Sequence, residues 1–288
     1  MKLLLMPNLS KPRVHDCIRM LTGMSFSGPF EFWIDQQMQG RFPDCPQLHY
    51  GELEELAALC DICVAIGGDG TIIHYGKFAA AHQKPVLGIN LGHLGFLATL
   101  ESDQLGLLRY LQTGEYTVEE RMLLKVTLRS KTCERSWQAM NEAVVSKGGP
   151  SNHMVDLTVL NRGRIVGSYR ADGLILSTPT GSTAYAMSAG GPIIDPEINC
   201  IALTPLSSHS LFTRPIIFDE TSSLCVYPNA GTLASEVYLT VDGEEGIAIG
   251  PEDRLVFEKS DQSVSLINLT GKSFYDVLNE KLIWRASK

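Results

Sequence analysis

The sequence places one carboxylate inside a glycine-rich turn, a pattern that indicates chemistry on a phosphate. An apolar run over residues 62–66 is followed by Gly-Gly-Asp-Gly-Thr at residues 67–71, and residues 72–81 then have helical composition. A buried strand, a glycine turn and a helix present backbone N–H groups and a helix N-terminus to an anion. Asp69 repels a phosphate, so we expect it to act as a base, a metal contact or a hydroxyl acceptor. The alternative is that Asp69 caps the helix.

A second stretch, residues 177–192, is dense in hydroxyl-bearing and small residues. It predicts a strand, a loop and a short helix that begins near Thr180 to Ser182. Such a turn supplies hydroxyl and N–H groups at close range, and Tyr185 adds a flat face for stacking on a base. A plain linker would carry more charge than this stretch does.

Two further motifs carry polar groups or glycines at unusual places. Asn141 and Glu142 interrupt a strand pattern over residues 137–145. An amide can read a base edge and a carboxylate can accept two sugar hydroxyls, although the pair taken alone slightly favours a bulge or an edge strand with solvated side chains. Residues 91–98 place two glycines around a histidine, which indicates a loop in close approach or an ordinary connection.

Composition bounds the class of protein. The chain has 288 residues, 44% hydrophobic residues, 19% charged residues and a net charge of −8, which favours a globular protein of two domains without a broad nucleic-acid surface. No stretch predicts a membrane span or a signal peptide. The seven scattered cysteines indicate reduced thiols and a cytoplasmic protein, and we interpret Cys60 and Cys63 as buried small hydrophobic residues. No protein metal site is visible.

The order of elements predicts the fold class. Alternating strands and helices over the first hundred residues predict an α/β domain with a parallel Rossmann-like sheet, whose ligands bind at the carboxyl ends of the strands. Short β-rich runs then predict a β-rich, sandwich-like C-terminal domain. The predicted divisions are residues 1–114, residues 115–270 and a C-terminal helix within residues 271–288 that packs back on the first domain.

Taken together, residues 67–71, 92–96, 141–142, 172–173 and 178–192 resemble the NAD kinase family, in order and in context. The resemblance spans roughly residues 60–245. The hydroxyl-rich stretch is its most specific part, because diacylglycerol-type lipid kinases and phosphofructokinases share the glycine-aspartate motif.

The resemblance implies transfer of the γ-phosphoryl group of ATP, or of a phosphoryl group of polyphosphate, to the 2′-hydroxyl of the adenosine ribose of NAD. Asp69 corresponds to the general base of the family. Mg²⁺ is expected to arrive with the nucleotide. Self-association to a homodimer or homotetramer is also implied, because the residue matching Asp172 contacts the nicotinamide end, often across a subunit interface.

The resemblance also implies the remaining roles. Asn141 and the backbone of Thr183 and Ala184 read adenine beside Tyr185, Glu142 holds ribose hydroxyls, and Phe96 walls the adenosine pocket. Arg170, two residues before Asp172, accompanies preference for NAD over NADH. His74 and His153 are ligand contacts or surface histidines. The full set of implied binding residues is Gly68, Gly70, Thr71, His74, Phe96, Asn141, Glu142, His153, Arg170, Asp172, Thr180, Thr183, Ala184, Tyr185 and Ser188.

Two other functions compete with this interpretation. A lipid or sugar kinase could use the same glycine-aspartate loop, but such lipid kinases carry a Gly-Thr-x-Asn-Asp-like segment that residues 90–96 do not match. A catalytically silent NADP-binding regulator should have lost the base, and Asp69 is present. Residues 242–244, Asp-Gly-Glu, match a late family element, but we interpret them as a hairpin turn.

Overall fold

The computed structural model describes residues 1–25, 28–92, 95–97, 100–148, 153–210, 213–229 and 237–283. The chain forms two compact units. The first, which we call the α/β unit, contains Met1–Glu120 and Val264–Lys288, and the second, the β unit, contains Arg121–Ser263. None of the helices within the described ranges is both long enough and apolar enough to cross a bilayer.

The α/β unit alternates strands and helices as the sequence predicts. Its elements are β1 (Lys2–Pro7), α1 (Val14–Gly23), β2 (Glu31–Asp35), β3 (Leu48–Gly51), α2 (Leu53–Leu59), β4 (Ile62–Gly67), α3 (Asp69–Ala81), β5 (Val86–Asn90), β6 (Leu100–Glu101) and α4 (Arg109–Thr113). Strands β1 to β5 are parallel in the order β3-β2-β1-β4-β5. This is the strand order of a Rossmann-like sheet, and the predicted fold class is confirmed.

Burial explains why β4 occupies the middle of this sheet. All six of its residues are buried, and it pairs with β1 on one side and β5 on the other. A strand covered on both faces must be apolar throughout, as residues 62–66 are. Helix α1 packs through Val14, Ile18 and Leu21, the i, i+4, i+7 stripe of an amphipathic helix.

The β unit is built from short strands. The chain enters this unit within strand β7 (Thr117–Arg129). The elements that follow are β8 (Glu134–Ala139), β9 (Glu142–Lys147), β10 (Val155–Asn161), β11 (Arg164–Ala171), β12 (Gly173–Ser177), α5 (Tyr185–Ser188), β13 (Cys200–Leu206), β14 (Ile216–Asp219), β15 (Leu224–Pro228), β16 (Val237–Val241), β17 (Ile247–Ile249) and β18 (Arg254–Asn268).

Antiparallel pairing and a shared core make this unit sandwich-like, as predicted. Within the described residues, one sheet has the order β14-β13-β12-β9-β16-β17, and a second set of strands runs β11-β10-β15-β18. Leu157 of β10, Leu176 of β12 and Phe257 of β18 belong to one buried apolar cluster, which therefore draws on both sets of strands.

Two local details complete the description of the elements. Residues 105–113 form a 3₁₀ turn, Leu105–Leu108, followed by α4. The strand pattern over residues 137–145 is interrupted, as the sequence indicates, because β8 ends at Ala139 and β9 begins at Glu142. Near the C-terminus, α6 (Phe274–Leu278) begins at Ser273, whose side chain accepts a hydrogen bond from the N–H of Asp276, and residues Asn279–Ile283 continue the helical path.

Candidate functional site

Asp69 lies at the carboxyl edge of the parallel sheet, at the start of α3. Its two carboxylate oxygens accept hydrogen bonds from the backbone N–H groups of Phe96 (2.7 Å) and Leu97 (3.2 Å). Asp69 is half-buried, and an ionised carboxylate has about four accepting positions. The side chain is thus fixed by a neighbouring loop and retains capacity to accept a hydrogen bond from a bound molecule. These bonds to the loop distinguish it from a helix cap.

Gly95 is the residue that lets this loop approach Asp69. A Cβ built on Gly95 would lie 1.6 Å from Oδ1 of Asp69 and 2.2 Å from its carboxyl carbon. No other residue type fits at position 95 without moving the carboxylate. This role was not predicted from the sequence, because Asp69 and Gly95 are far apart in the chain. The pairing of β4 with β5 brings the carboxyl ends of these two strands to the same edge of the sheet.

Thr71 supports the glycine loop from inside. Its hydroxyl is buried and accepts a hydrogen bond from Nδ2 of Asn8 (3.0 Å), and the N–H of Gly68 lies 3.4 Å from the same oxygen. Gly70 is exposed at the first turn of α3, and Gly68 is half-buried. The loop therefore presents backbone, whereas the threonine side chain is used within the protein.

Phe96 and His74, both in the α/β unit, differ in exposure and in their neighbours. The half-buried ring of Phe96 has Phe274 at 6.4 Å between ring centroids and the ammonium of Lys281 at 4.2 Å from its centroid. This contact places the C-terminal segment against the loop that holds Asp69. His74 is exposed on α3, and its ring centroid lies 5.0 Å from that of Tyr75 with the two rings inclined at 70°.

In the β unit, the break between β8 and β9 is held by one carboxylate. Asp242 accepts hydrogen bonds from three consecutive N–H groups, those of Met140 (2.9 Å), Asn141 (2.8 Å) and Glu142 (3.1 Å). Bonds from N–H groups to an ionised acceptor are among the stronger hydrogen bonds in proteins. The interruption of the strand at Asn141 and Glu142 is therefore stabilised by specific hydrogen bonds to Asp242.

Glu142 is a buried carboxyl group with unusual proton affinity. Burial, followed by the negative charge of Asp242, raises its pKa to about 7, and a hydrogen bond from the backbone N–H of Tyr185 acts in the opposite direction. Its Oε2 has no hydrogen-bond partner within the described part of the chain. A buried carboxyl oxygen without a partner is costly unless a ligand supplies one, so this oxygen suits a hydroxyl donor.

The hydroxyl-rich stretch uses several of its own hydroxyls to fix itself on the sheet. The hydroxyl of Thr178 donates to the carbonyl of Met140 (2.6 Å) and accepts from the N–H of Gly181 (3.1 Å), and that of Ser182 accepts from the N–H of Ile194 (3.0 Å). A Cβ on Gly181 would lie 2.1 Å from the carbonyl oxygen of Asn141. The stretch is thereby locked against the strand break.

The predicted binding residues of this stretch differ in exposure. Thr180 is buried, and its carbonyl accepts from the hydroxyl of Thr183 (3.2 Å). Thr183 and Ala184 are half-buried, while Tyr185 and Ser188 are exposed. The backbone N–H of Tyr185 donates to the buried carboxyl of Glu142, while the side chain of Tyr185 is exposed.

Asp172 does not lie in the Asn141–Glu142 cluster but forms a separate ion pair. Its Oδ1 lies 2.7 Å from Nζ of Lys147, both side chains are partly exposed, and its carbonyl accepts from the N–H of Lys147 (3.0 Å). Lys147 was missed in the sequence analysis and carries no motif signal. Arg170 is exposed at the end of β11, and His153 is exposed before β10.

No group of three or more His, Cys, Asp and Glu side chains within the described ranges could hold a metal ion. The seven cysteines are free thiols, and Cys60 and Cys63 are buried with their sulfur atoms 4.0 Å apart. The prediction that Cys60 and Cys63 are buried is confirmed.

A Rossmann-like sheet that ends in a glycine-aspartate loop, together with a β-rich unit that carries a carboxyl-amide pair, defines a nucleotide-binding protein. Comparison with known proteins makes this class specific. The family model of the ATP-NAD kinase N-terminal domain matches residues 25–116, and that of the ATP-NAD kinase C-terminal domain matches residues 140–269. The chain belongs to the ATP-NAD kinase family and is a kinase.

Individual relatives agree with the family assignment. An NAD kinase of Symbiobacterium thermophilum is 41% identical over 224 residues, which cover 77% of this chain and 78% of that protein. An NAD kinase of Moorella thermoacetica is 37% identical over 279 residues, which cover 96% of this chain and 87% of that protein.

Solved structures show the same fold. Yeast NADH kinase in complex with NADH has a TM-score of 0.84 at 24% identity, covering 100% of this chain and 89% of that chain. An NAD kinase from Archaeoglobus fulgidus in complex with ATP has a TM-score of 0.68 at 22% identity, covering 100% of this chain and 99% of that chain.

Proposed function

We propose that this protein transfers the γ-phosphoryl group of ATP to the 2′-hydroxyl of the adenosine ribose of NAD, forming NADP and ADP. Membership of the ATP-NAD kinase family supports this reaction. The observation that carries the mechanism is the placement of Asp69: a half-buried carboxylate, oriented by two backbone N–H groups, at the N-terminus of α3.

In this mechanism Asp69 is the general base. A ribose hydroxyl is a weak nucleophile, and a carboxylate within hydrogen-bond reach accepts its proton as the new O–P bond forms and the bond from phosphorus to ADP breaks. The hydrogen bonds from Phe96 and Leu97 hold the carboxylate in one orientation, which lowers the entropic cost of reaching the reactive geometry.

The loop before α3 is proposed to bind phosphate groups of ATP. The backbone of Gly68, Gly70 and Thr71 lies at a helix N-terminus, where N–H groups and the helix dipole favour an anion. His74, on the next turn of α3, and Phe96 complete the proposed contacts of the α/β unit. We place Mg²⁺ with the phosphates of ATP, as part of the substrate, where it neutralises phosphate charge. Inorganic polyphosphate is the alternative donor.

The β unit is proposed to bind NAD. Asn141 and the backbone of Thr183 and Ala184 recognise adenine, while the exposed ring of Tyr185 packs against it. Glu142 accepts a ribose hydroxyl through its buried oxygen without a partner. Thr180 and Ser188 are proposed as further polar contacts of this nucleoside.

The nicotinamide end of NAD is assigned to Asp172, with His153 and Arg170 as the accompanying residues. Lys147 keeps the carboxylate of Asp172 in a fixed position, since its ammonium lies 2.7 Å away. Arg170 is exposed two residues earlier, and we propose that it favours NAD over NADH.

We further propose a cytoplasmic homodimer or homotetramer, in which residues 1–114 form the domain of the base and residues 115–270 form the NAD-binding domain. The C-terminal segment 271–288 supports the first domain, a role suggested by the contacts of Phe274 and Lys281 with Phe96. Light scattering of the purified protein measures the number of subunits.

A coupled assay for NADP formed from ATP and NAD tests the function. Activity with both substrates and Mg²⁺ is expected, and donor choice follows from replacing ATP with polyphosphate. Phosphorylation of a long-chain diol without any NADP formation would contradict the proposal and favour a lipid kinase. NADP binding without turnover would indicate a silent regulator.

A further inference from the structure

Asp242 lies in the tight turn between β16 and β17. Its φ is 47° and that of Gly243 is 74°, so both residues adopt the left-handed conformation that an Asp-Gly hairpin turn prefers. The N–H of Glu244 donates to the carbonyl of Val241 (2.9 Å) and closes the turn. The interpretation of residues 242–244 as a hairpin turn is thus confirmed.

The side chain of Asp242 does more than this turn requires. The turn is closed by backbone groups, whereas the carboxylate receives the N–H groups of Met140, Asn141 and Glu142 from another part of the chain. The N–H of Asp242 also donates to the carbonyl of Glu142 (2.9 Å). Of these four hydrogen bonds, one joins Asp242 to Met140 and three join it to Asn141 and Glu142, the two residues proposed to bind adenosine.

We propose that Asp242 is the positioning residue of the Asn141–Glu142 pair, acting both through its hydrogen bonds to their backbone and through its negative charge on Glu142. This inference rests on the proposed function, because it takes Glu142 to be a ribose ligand. Asp242 itself is not assigned a contact with substrate.

The charge of Asp242 matters because Glu142 is buried. Among the described residues, Glu142 is faced by Asp242 from the β16–β17 turn, by Ser177 opposite it on β12, and by the backbone N–H of Tyr185 from α5. Of these three, Asp242 carries the charge, and it disfavours ionisation of Glu142. Together with desolvation, it raises the pKa of Glu142 to about 7.

A pH dependence of NAD binding follows. An ionised Glu142 accepts hydroxyl hydrogen bonds better than the neutral acid, so the ionised form is the binding form. Apparent affinity scales with the fraction of protein in that form. Between pH 8 and pH 6 the dissociation constant for NAD should therefore rise about tenfold, and binding near pH 7 should release a fraction of a proton.

The test is calorimetric titration of NAD into the full-length protein from pH 5.5 to 8.5, in buffers of different ionisation enthalpy. Asp242→Asn keeps the turn, because Asn also adopts the left-handed conformation, but it removes the charge and one acceptor. We expect about tenfold weaker binding at pH 8. The midpoint should fall by about one pH unit, so that the change from pH 8 to pH 6 shrinks to about twofold.

Three further variants separate the two actions. Asp242→Glu keeps the charge but displaces the oxygens, so NAD should bind more weakly at every pH with the midpoint unchanged. Glu142→Gln should abolish the pH dependence and the proton release. Glu245→Gln removes an exposed charge from the same hairpin and should behave as the wild type.

The results for these variants test the electrostatic action and the positioning action of Asp242 separately. An unchanged midpoint in Asp242→Asn, or proton release that persists in Glu142→Gln, overturns the electrostatic action. Wild-type affinity in Asp242→Glu overturns the positioning action, and this variant also serves if Asp242→Asn does not fold. If the wild type forms no NADP from ATP and NAD, the proposed function fails; an active wild type with any of the contrary results overturns this inference alone.

Discussion

At the scale of single residues, the two functional carboxyl groups are held in opposite ways. Asp69 is half-buried and receives two backbone N–H groups from the neighbouring loop. Glu142 is buried, and one of its oxygens has no partner within the described residues. The first arrangement favours a carboxylate fixed in orientation, and the second favours a group that gains from binding a hydroxyl donor. The residue types were predictable from the motifs, but neither environment was, because both depend on distant segments.

Gly95 should be essential for the position of Asp69. In Gly95→Ala the new Cβ would overlap the carboxylate, so Asp69 must move and its bonds to Phe96 and Leu97 are lost. We expect kcat to fall more than tenfold, with a loss of about 1–3 kcal/mol in the free energy of unfolding. The measurement is steady-state kinetics with thermal unfolding.

Gly92→Ala is the matched control in the same loop, since no residue that the structure describes lies within 4 Å of a Cβ built there. It should keep near wild-type kcat and stability. Equal losses of kcat and stability in the two variants would show that the overlap with Asp69 does not cause the losses in Gly95→Ala.

Glu142 should destabilise the unliganded protein at high pH. Its pKa is raised from 4.5 to about 7 in the folded state, so the folded protein binds more protons between these values and stability falls as pH rises through them. Glu142→Gln should therefore be more stable than the wild type by roughly 1–3 kcal/mol at pH 8, and about equal to it at pH 5. Urea unfolding at both pH values measures this, and a pH-independent difference would contradict it.

At the scale of elements, the hydroxyl-rich stretch shows where sequence reasoning reaches its limit. The predicted strand is β12, a 3₁₀ turn at Thr180–Thr183 lies where the short helix was predicted to begin, and α5 follows from Tyr185. Hydroxyls suggested a ligand surface, yet those of Thr178 and Ser182 bond to the protein itself. Composition cannot separate these uses, because a hydroxyl serves a backbone carbonyl and a ligand equally well.

Thr178 should contribute most to holding this stretch in place, through the hydrogen bonds of its hydroxyl. Thr178→Val keeps the shape but leaves the carbonyl of Met140 and the N–H of Gly181 without their hydroxyl partner in a buried place. We expect a loss of about 2–3 kcal/mol in stability and weaker NAD binding, measured by urea unfolding and calorimetry. Thr240→Val, at a half-buried position in the same sheet, should change stability by less than about 0.5 kcal/mol; a similar loss in both variants would argue against this role.

At the scale of the whole molecule, two long strands determine how the chain is divided. The chain leaves the α/β unit within β7 and returns within β18, whose Phe257 pairs with β15 and whose Leu266 pairs with β5. The parallel order of β1 to β5 was predictable from alternating elements. A change of unit in the middle of a strand was not, because both strands carry polar residues at the change of unit, and the sequence does not show that one strand continues across them.

The reactivity of the thiols should show which cysteines are accessible in the folded protein. Cys133 is exposed, whereas Cys17, Cys60, Cys63 and Cys200 are buried, and desolvation raises the pKa of Cys17 to about 12. Since the thiolate is the reactive form, a disulfide reagent should modify Cys133 first and these buried thiols only on unfolding. Cys133→Ser should abolish the fast phase. A fast phase that persists in this variant would show that another thiol is accessible.

The most direct test of the account concerns Asp69. In Asp69→Asn, kcat for NADP formation should fall by about 10²–10⁴-fold, since the amide cannot accept the proton of the 2′-hydroxyl, while the dissociation constants for NAD and ATP change by only a few fold. Near wild-type kcat with intact binding would contradict the assignment of Asp69 as the general base.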